Sequence, residues 1–191
     1  MRTNRTRYVL LGALTEGPKT GYEIRKDIEA GISHFWQESY GQIYPQLKAL
    51  AAEGLAEVET SPETGRQRKV YRITEAGRRE LAAWLAEPVQ QEPQRNELLL
   101  KLIYGRSTTP AVLQGHVQSF RQSAAALKGA LGALQSIIAG EPADHPDMAY
   151  WLMTLRLGEY IAEARLRWAE ETLSQLETLA ATNDSGGGAD D

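Results

Sequence analysis

Two groups of residues in this sequence have types and spacings suited to gripping a polyanion. The first lies between Phe35 and Leu55. There Gly41, Pro45, Lys48, Ala49 and Ala52, flanked by Gln42 and Tyr44, occupy one side of a segment whose other side carries Ile43, Leu47 and Leu50 at four-and-three spacing. A solvated helix face is ordinarily richer in Glu and Lys. Small and amide-bearing side chains with one Lys and a tyrosine at the margin suit a helix that enters a narrow anionic groove. A duplex major groove admits one helix, its base edges are read by amides, hydroxyls and cations, and Tyr and Lys hold its phosphates. The second group is Arg66, Arg68, Lys69 and Arg72, with no acid between them. On a β-arm beside a reading helix, such a cluster meets backbone phosphate or the minor groove. The plain alternatives are a helix whose outer side meets another protein element and a solvated charge run. A protein-binding arm has no need of four uncompensated cations, so the two groups together favour double-stranded DNA over a helical protein-interaction or scaffold module.

Catalytic chemistry has little to stand on. The three histidines, His34, His116 and His145, are scattered, there is no cysteine, and neither a P-loop nor a dinucleotide glycine pattern occurs. No enzyme activity, cofactor or metal is expected. The absence of cysteine fits a reducing compartment. The apolar run before Glu16 is too short for a signal peptide or membrane span, so a cytoplasmic protein without membrane contact is expected. A net charge of −4 looks unfavourable for a nucleic-acid partner until it is divided: residues 1–93 hold 13 basic and 13 acidic residues, and residues 94–191 hold 8 and 12. Local patches such as Arg2, Arg5 and Arg7, and the arm, set the field that a phosphate backbone meets.

The elements that must position these residues follow in order. Tyr8–Leu14 is a first helix, stopped at Thr15-Glu16-Gly17-Pro18. Thr20 caps a second, with Glu23 three residues on and Tyr22, Ile24 and Ile28 as core contacts before Gly31. The third is the reading helix, starting near Ser39 or Gly41, a turn or less before Pro45. Ala56–Thr60 alternates as a strand, Ser61–Gly65 is turn chemistry, and Arg68–Ile73 alternates again. Thr74 caps a helix with Leu81, Trp84 and Leu85 on its apolar side, closed by Pro88. Three helices, a hairpin and a helix make a winged helix-turn-helix, a mostly α, α+β arrangement.

At this point the sequence resembles the PadR family of bacterial transcription regulators. The likeness is carried by Tyr8–Leu14, Gly21-Tyr22-Glu23-Ile24, Ser39–Leu47 with its Tyr44-Pro45, Glu53-Gly54-Leu55, and Tyr71-Arg72-Ile73-Thr74-Glu75-Ala76-Gly77, and it runs from Tyr8 to about Leu85. The resemblance implies a homodimeric winged-helix repressor whose third helix enters the major groove. The matching DNA-binding positions are Ser39, Tyr40, Gln42, Tyr44 and Lys48 on the helix and Arg66, Arg68 and Lys69 on the wing.

Residues 87–96 read as a linker, dividing a DNA-binding domain (1–88) from a helical domain (89–181), with a Gly-rich acidic tail (182–191) expected to be disordered. Leu98, Leu99, Leu102 and Ile103 form a short helix. Leu113, Val117, Phe120, Ala124, Leu127, Leu131, Leu134 and Ile138 then make a coiled-coil seam behind the cap Thr109-Pro110. A last antiparallel helix, to about Ala181, continues the rhythm through Met148, Leu152, Leu155, Ala162, Leu166, Ala169, Leu173 and Leu176, with Glu159 in one place. It adds a second apolar side of Trp151, Tyr160, Ile161 and Trp168. A helix apolar on two sides needs two partners, and a second copy of the chain is the simplest. Thr154–Tyr160 with Trp168 and Leu176 resembles the C-terminal dimerisation domain of one branch of the family. Leu152, Leu155, Ile161, Leu166, Trp168 and Leu173 are therefore expected at a dimer interface. Family members commonly respond to small molecules, and Phe35, Trp36, Tyr150, Trp151 and Trp168 are the candidate pocket for a small apolar or aromatic effector.

Overall fold

The computed structural model describes residues 5–36, 40–63, 66–90 and 95–186, and the chain divides into two compact units, residues 1–91 and 92–191. The first unit contains helices α1 (Thr6–Ala13), α2 (Gly21–Gly31), α3 (Tyr40–Ala52) and α4 (Glu75–Leu85) and strands β1 (Lys19–Thr20), β2 (Ala56–Glu63) and β3 (Arg66–Ile73). The sheet is antiparallel in the order β1-β3-β2. Two-residue β1 is too short to show alternation in the sequence. The hairpin extends further than expected, with Glu63 opposite Arg66, so Ser61–Glu63 pair instead of turning. Thr64 and Gly65 lie outside the described residues.

Local signals set most helix ends. Thr20 Oγ1 accepts from Glu23 N at 3.2 Å while the Glu23 carboxylate accepts from Thr20 N at 2.7 Å, closing the capping box of α2. Thr74 Oγ1 accepts from Gly77 N at 3.0 Å and starts α4. At the end of α3, Gly54 takes φ 72°, and Leu55 N donates to Leu50 O at 2.9 Å, the left-handed glycine stop with its long back-bond. Helix α3 begins at Tyr40, between the two expected starts and five residues before Pro45, so more than a turn of helix precedes the proline. Proline forfeits one backbone bond there, and burial of Ile43, Leu47 and Leu50 offsets it.

Those three residues join Leu10, Leu11, Leu14, Ile24, Ile28, Tyr71 and Ile73 in one core. Trp84 stacks flat on Tyr8 at 4.4 Å, fastening α4 to α1. Tyr22 and Leu85 are exposed, against expectation. Tyr22 stands two residues from Ile24, which on a helix is nearly the opposite side, and Leu85 is the last residue of α4.

The second unit holds α5 (Glu97–Ile103), α6 (Pro110–Ile138) and α7 (Met148–Gly186). Thr109 caps α6 with Pro110 at its first position. Early α6 (Leu113, Val117) packs on late α7 (Ala169, Leu173, Leu176), and late α6 (Leu131, Ile138) on early α7 (Leu155, Ala162), so the two helices are antiparallel. Leu98 and Leu102 of α5 close the first of these clusters. Helix α7 runs through Gly186, past its expected end. Thr182 Oγ1 donates to Thr178 O at 2.9 Å. Residues 187–191, the rest of the expected tail, lie outside the described residues. No helix among the described residues is long and apolar enough to cross a membrane.

Candidate nucleic-acid interface

Burial of Ile43, Leu47 and Leu50 fixes the rotation of α3 and leaves Gly41, Gln42, Tyr44, Pro45 and Lys48 exposed on the other side. Tyr44 is only half free. Its ring lies over the first residue of α2, where a Cβ added to Gly21 would stand 2.6 Å from Tyr44 Cε1 and 3.3 Å from Leu47 Cδ1. Glycine at this position lets α2 and α3 approach and holds the tyrosine ring in place. The Tyr71 hydroxyl, beneath it in β3, has its pKa pushed up by burial first and by the neighbouring Tyr44 phenol second.

The wing is less uniform than its sequence. Lys69 is exposed opposite neutral Thr60 in the β2–β3 ladder, and Arg72 is exposed opposite Glu57. Arg68 is not uncompensated: its Nη2 lies 2.7 Å from Glu23 Oε1. The other Glu23 oxygen, Oε2, accepts from Thr20 N at 2.7 Å and Thr20 Oγ1 at 2.8 Å. The Glu23 carboxyl pKa is held below the usual range by the Thr20 hydrogen bonds first, with Arg68 adding to them. The expectation of four free cations is corrected for Arg68 because an acid distant in sequence folds against it. Two of the N-terminal basic residues are engaged too: Arg7 pairs with Glu53 at 2.7 Å and with Glu80 at 3.5 Å, and Arg5 Nη2 lies 3.5 Å from Gln90 Oε1, while Arg2 lies outside the described residues.

Of the expected DNA-binding residues, Gln42, Tyr44, Lys48, Arg68 and Lys69 are exposed on α3 and β3. Ser39 lies outside the described residues. Tyr40 and Arg66 are placed by their backbone, as the first residues of α3 and β3, and their side chains fall outside the described set. The expected dimer residues separate. Leu155 and Leu173 are buried against α6 within the chain, and half-buried Trp168 packs edge-on to Phe120 at 5.2 Å. Leu166 is half-buried, while Leu152 and Ile161 are exposed beside Met153, Leu157 and Tyr160. The aromatic set also divides. Trp151 stacks on His145 at 4.4 Å in one cluster, and Trp168 sits in the other, about 25 Å along α7 at 1.5 Å per residue. They do not line one cavity within the chain. Phe35 and Tyr150 are exposed, and Trp36 is half-buried. The contacts missed from sequence are Gly21 under Tyr44 and Glu23 against Arg68. Glu23 could be read as a cap, but nothing local announces that its second oxygen has a partner.

The model of the transcriptional regulator PadR-like family matches residues 10–83, and that of the virulence activator alpha C-term family matches residues 94–177. The negative transcriptional regulator PadR of Bacillus subtilis is 26% identical over 178 residues, covering 90% of this chain and 97% of that protein. The crystal structure of Bacillus subtilis PadR in complex with operator DNA is similar with a TM-score of 0.76 at 26% identity, covering 89% of this chain and 98% of that one. The structure of the same regulator in complex with p-coumaric acid has a TM-score of 0.70 at 25% identity, covering 90% and 98%.

Proposed function

The chain belongs to the PadR-like family of transcriptional regulators, and from that premise we propose that it is a repressor that binds an inverted-repeat operator as a homodimer and is released by a small apolar or aromatic effector. The observation that carries the reading is the exposed side of α3, where Gln42 and Lys48 face solvent and Tyr44 is half exposed, with exposed Lys69 on the neighbouring wing. In this reading Gln42 addresses base edges, while Tyr44, Lys48, Arg66 and Lys69 hold phosphates, with Ser39 and Tyr40 as further contacts to the duplex. Similarity to a regulator crystallised with operator DNA and with p-coumaric acid supports both the duplex partner and the class of effector. The protein acts by binding rather than by catalysis, in the cytoplasm where its DNA lies.

The dimer rests on the second unit. Met153, Leu157 and Tyr160, with Leu152 and Ile161, leave α7 with an exposed apolar side at helical spacing, and a second copy of α7 is the surface that fits it. Two reading helices related by a two-fold axis then meet half-sites about 34–36 Å apart, one duplex turn, or a multiple of it. Footprinting the purified protein on the DNA upstream of its own gene tests this. The expected result is a protected inverted repeat with that spacing, and protection without sequence preference would defeat the reading.

A further inference from the structure

The Glu23 carboxylate is used twice, by elements far apart in the chain. One oxygen closes the capping box of α2 through Thr20, and the other receives Arg68 from the middle of β3 at 2.7 Å. Thr20 is also a residue of β1, and in the ladder it stands opposite Val70, two residues along β3 from Arg68. The start of α2, the short strand and the wing strand thus meet at one carboxylate. Gly21, the next residue, is where the Tyr44 ring of the reading helix rests. We propose that Arg68 is a positioning residue and not a phosphate ligand: through Glu23 it ties the wing to the start of α2, and so sets the wing against α3.

Two features favour this over a phosphate contact. The Glu23 carboxyl is lowered by Thr20 first and then by Arg68, so at neutral pH a negative charge stands beside this guanidinium. An Arg fork also suits a carboxylate held in one place, and here two hydrogen bonds from Thr20 hold it. Lys69, the next residue, is exposed opposite neutral Thr60 and serves as the internal comparison.

The inference rests on the DNA-binding reading, and its test separates the two. In the full-length protein, Glu23→Gln keeps a neutral, weaker acceptor for the capping box and removes the charge that holds Arg68. Arg68→Gln removes the other half. With a duplex that the wild-type protein selects from a randomised pool, each single variant is expected to weaken binding about two- to fivefold, the range an exposed ion pair supplies. The double variant is expected to be no weaker than the worse single, as for two ends of one contact. The salt dependence should remain that of wild type in all three, whereas Lys69→Gln lowers the slope by about 0.9, one phosphate. Without DNA, amide exchange at Lys69, Val70 and Tyr71 should quicken alike in Glu23→Gln and Arg68→Gln. The proposal is overturned if Glu23→Gln tightens binding while Arg68→Gln lowers the salt slope by one phosphate, since Glu23 would then be a competitor for a phosphate ligand. Unchanged amide exchange in both variants overturns it equally. If the wild-type protein selects no duplex, the DNA reading falls and the exchange measurement alone decides the strut.

Discussion

Single side chains divide the labour at the proposed interface by what anchors them. Gln42 is exposed on α3 and carries both a donor and an acceptor, the equipment for a base edge, whereas Lys69 offers a point charge on a flexible stem. The two should fail differently. Gln42→Ala is expected to relax preference at one operator position by about 1–3 kcal/mol and leave the salt slope unchanged. Lys69→Gln should weaken binding evenly across sequences and flatten the slope, as counterion release requires. Binding titrations at several salt concentrations against operators mutated base by base distinguish the two. If Gln42→Ala weakened all operators equally, that residue would be a phosphate contact.

Among the elements, α2 and the wing share a pH-dependent joint. A carboxyl whose folded pKa lies below its unfolded value contributes its stabilisation in full above the ordinary carboxylate range, near 4.3, and loses it as pH falls through the folded pKa. Glu23 is such a group, lowered by Thr20 and then by Arg68. Its loss should therefore be seen below about pH 4 and not near neutrality. Thermal melting of Glu23→Gln is expected to show a shallower fall on the acid side than wild type, with the difference between the two greatest above pH 5. The pair with Arg68 is nearly half exposed at both ends, so solvent screening keeps its own share small, and most of the effect belongs to the cap. Equal acid slopes in the two proteins would show that Glu23 holds nothing in the fold.

For the whole molecule, the second unit decides how many reading helices act together. The first unit has its own core from Leu10 to Ile73, so a fragment ending at Gln90 should fold. It is expected to sediment as a monomer and to bind operator roughly 10²–10⁴ times more weakly than the full chain, the gain expected from joining two modules at a fitting span. A dimeric fragment would move the association surface out of α7.

Much of this architecture was legible beforehand because its causes are local. Helical spacing marked the stripe Ile43, Leu47 and Leu50 and the long seam of α6, and short-range capping chemistry marked Thr20, Thr74 and Thr109. Glycine after a helix marked the stop at Gly54. Other features depended on which residues meet. The acid that engages Arg68 lies 45 positions away, and no periodicity in β3 reveals it. Likewise an apolar residue on a helix with two apolar sides does not declare which partner it faces. Packing against α6 took Leu155, Leu173 and Trp168 inward and left Met153, Leu157 and Tyr160 outside. Spacing determines which residues of a helix share a side, whereas the identity of the neighbour on that side, and hence whether a cation is free or a leucine available, is decided only when distant segments are brought into contact.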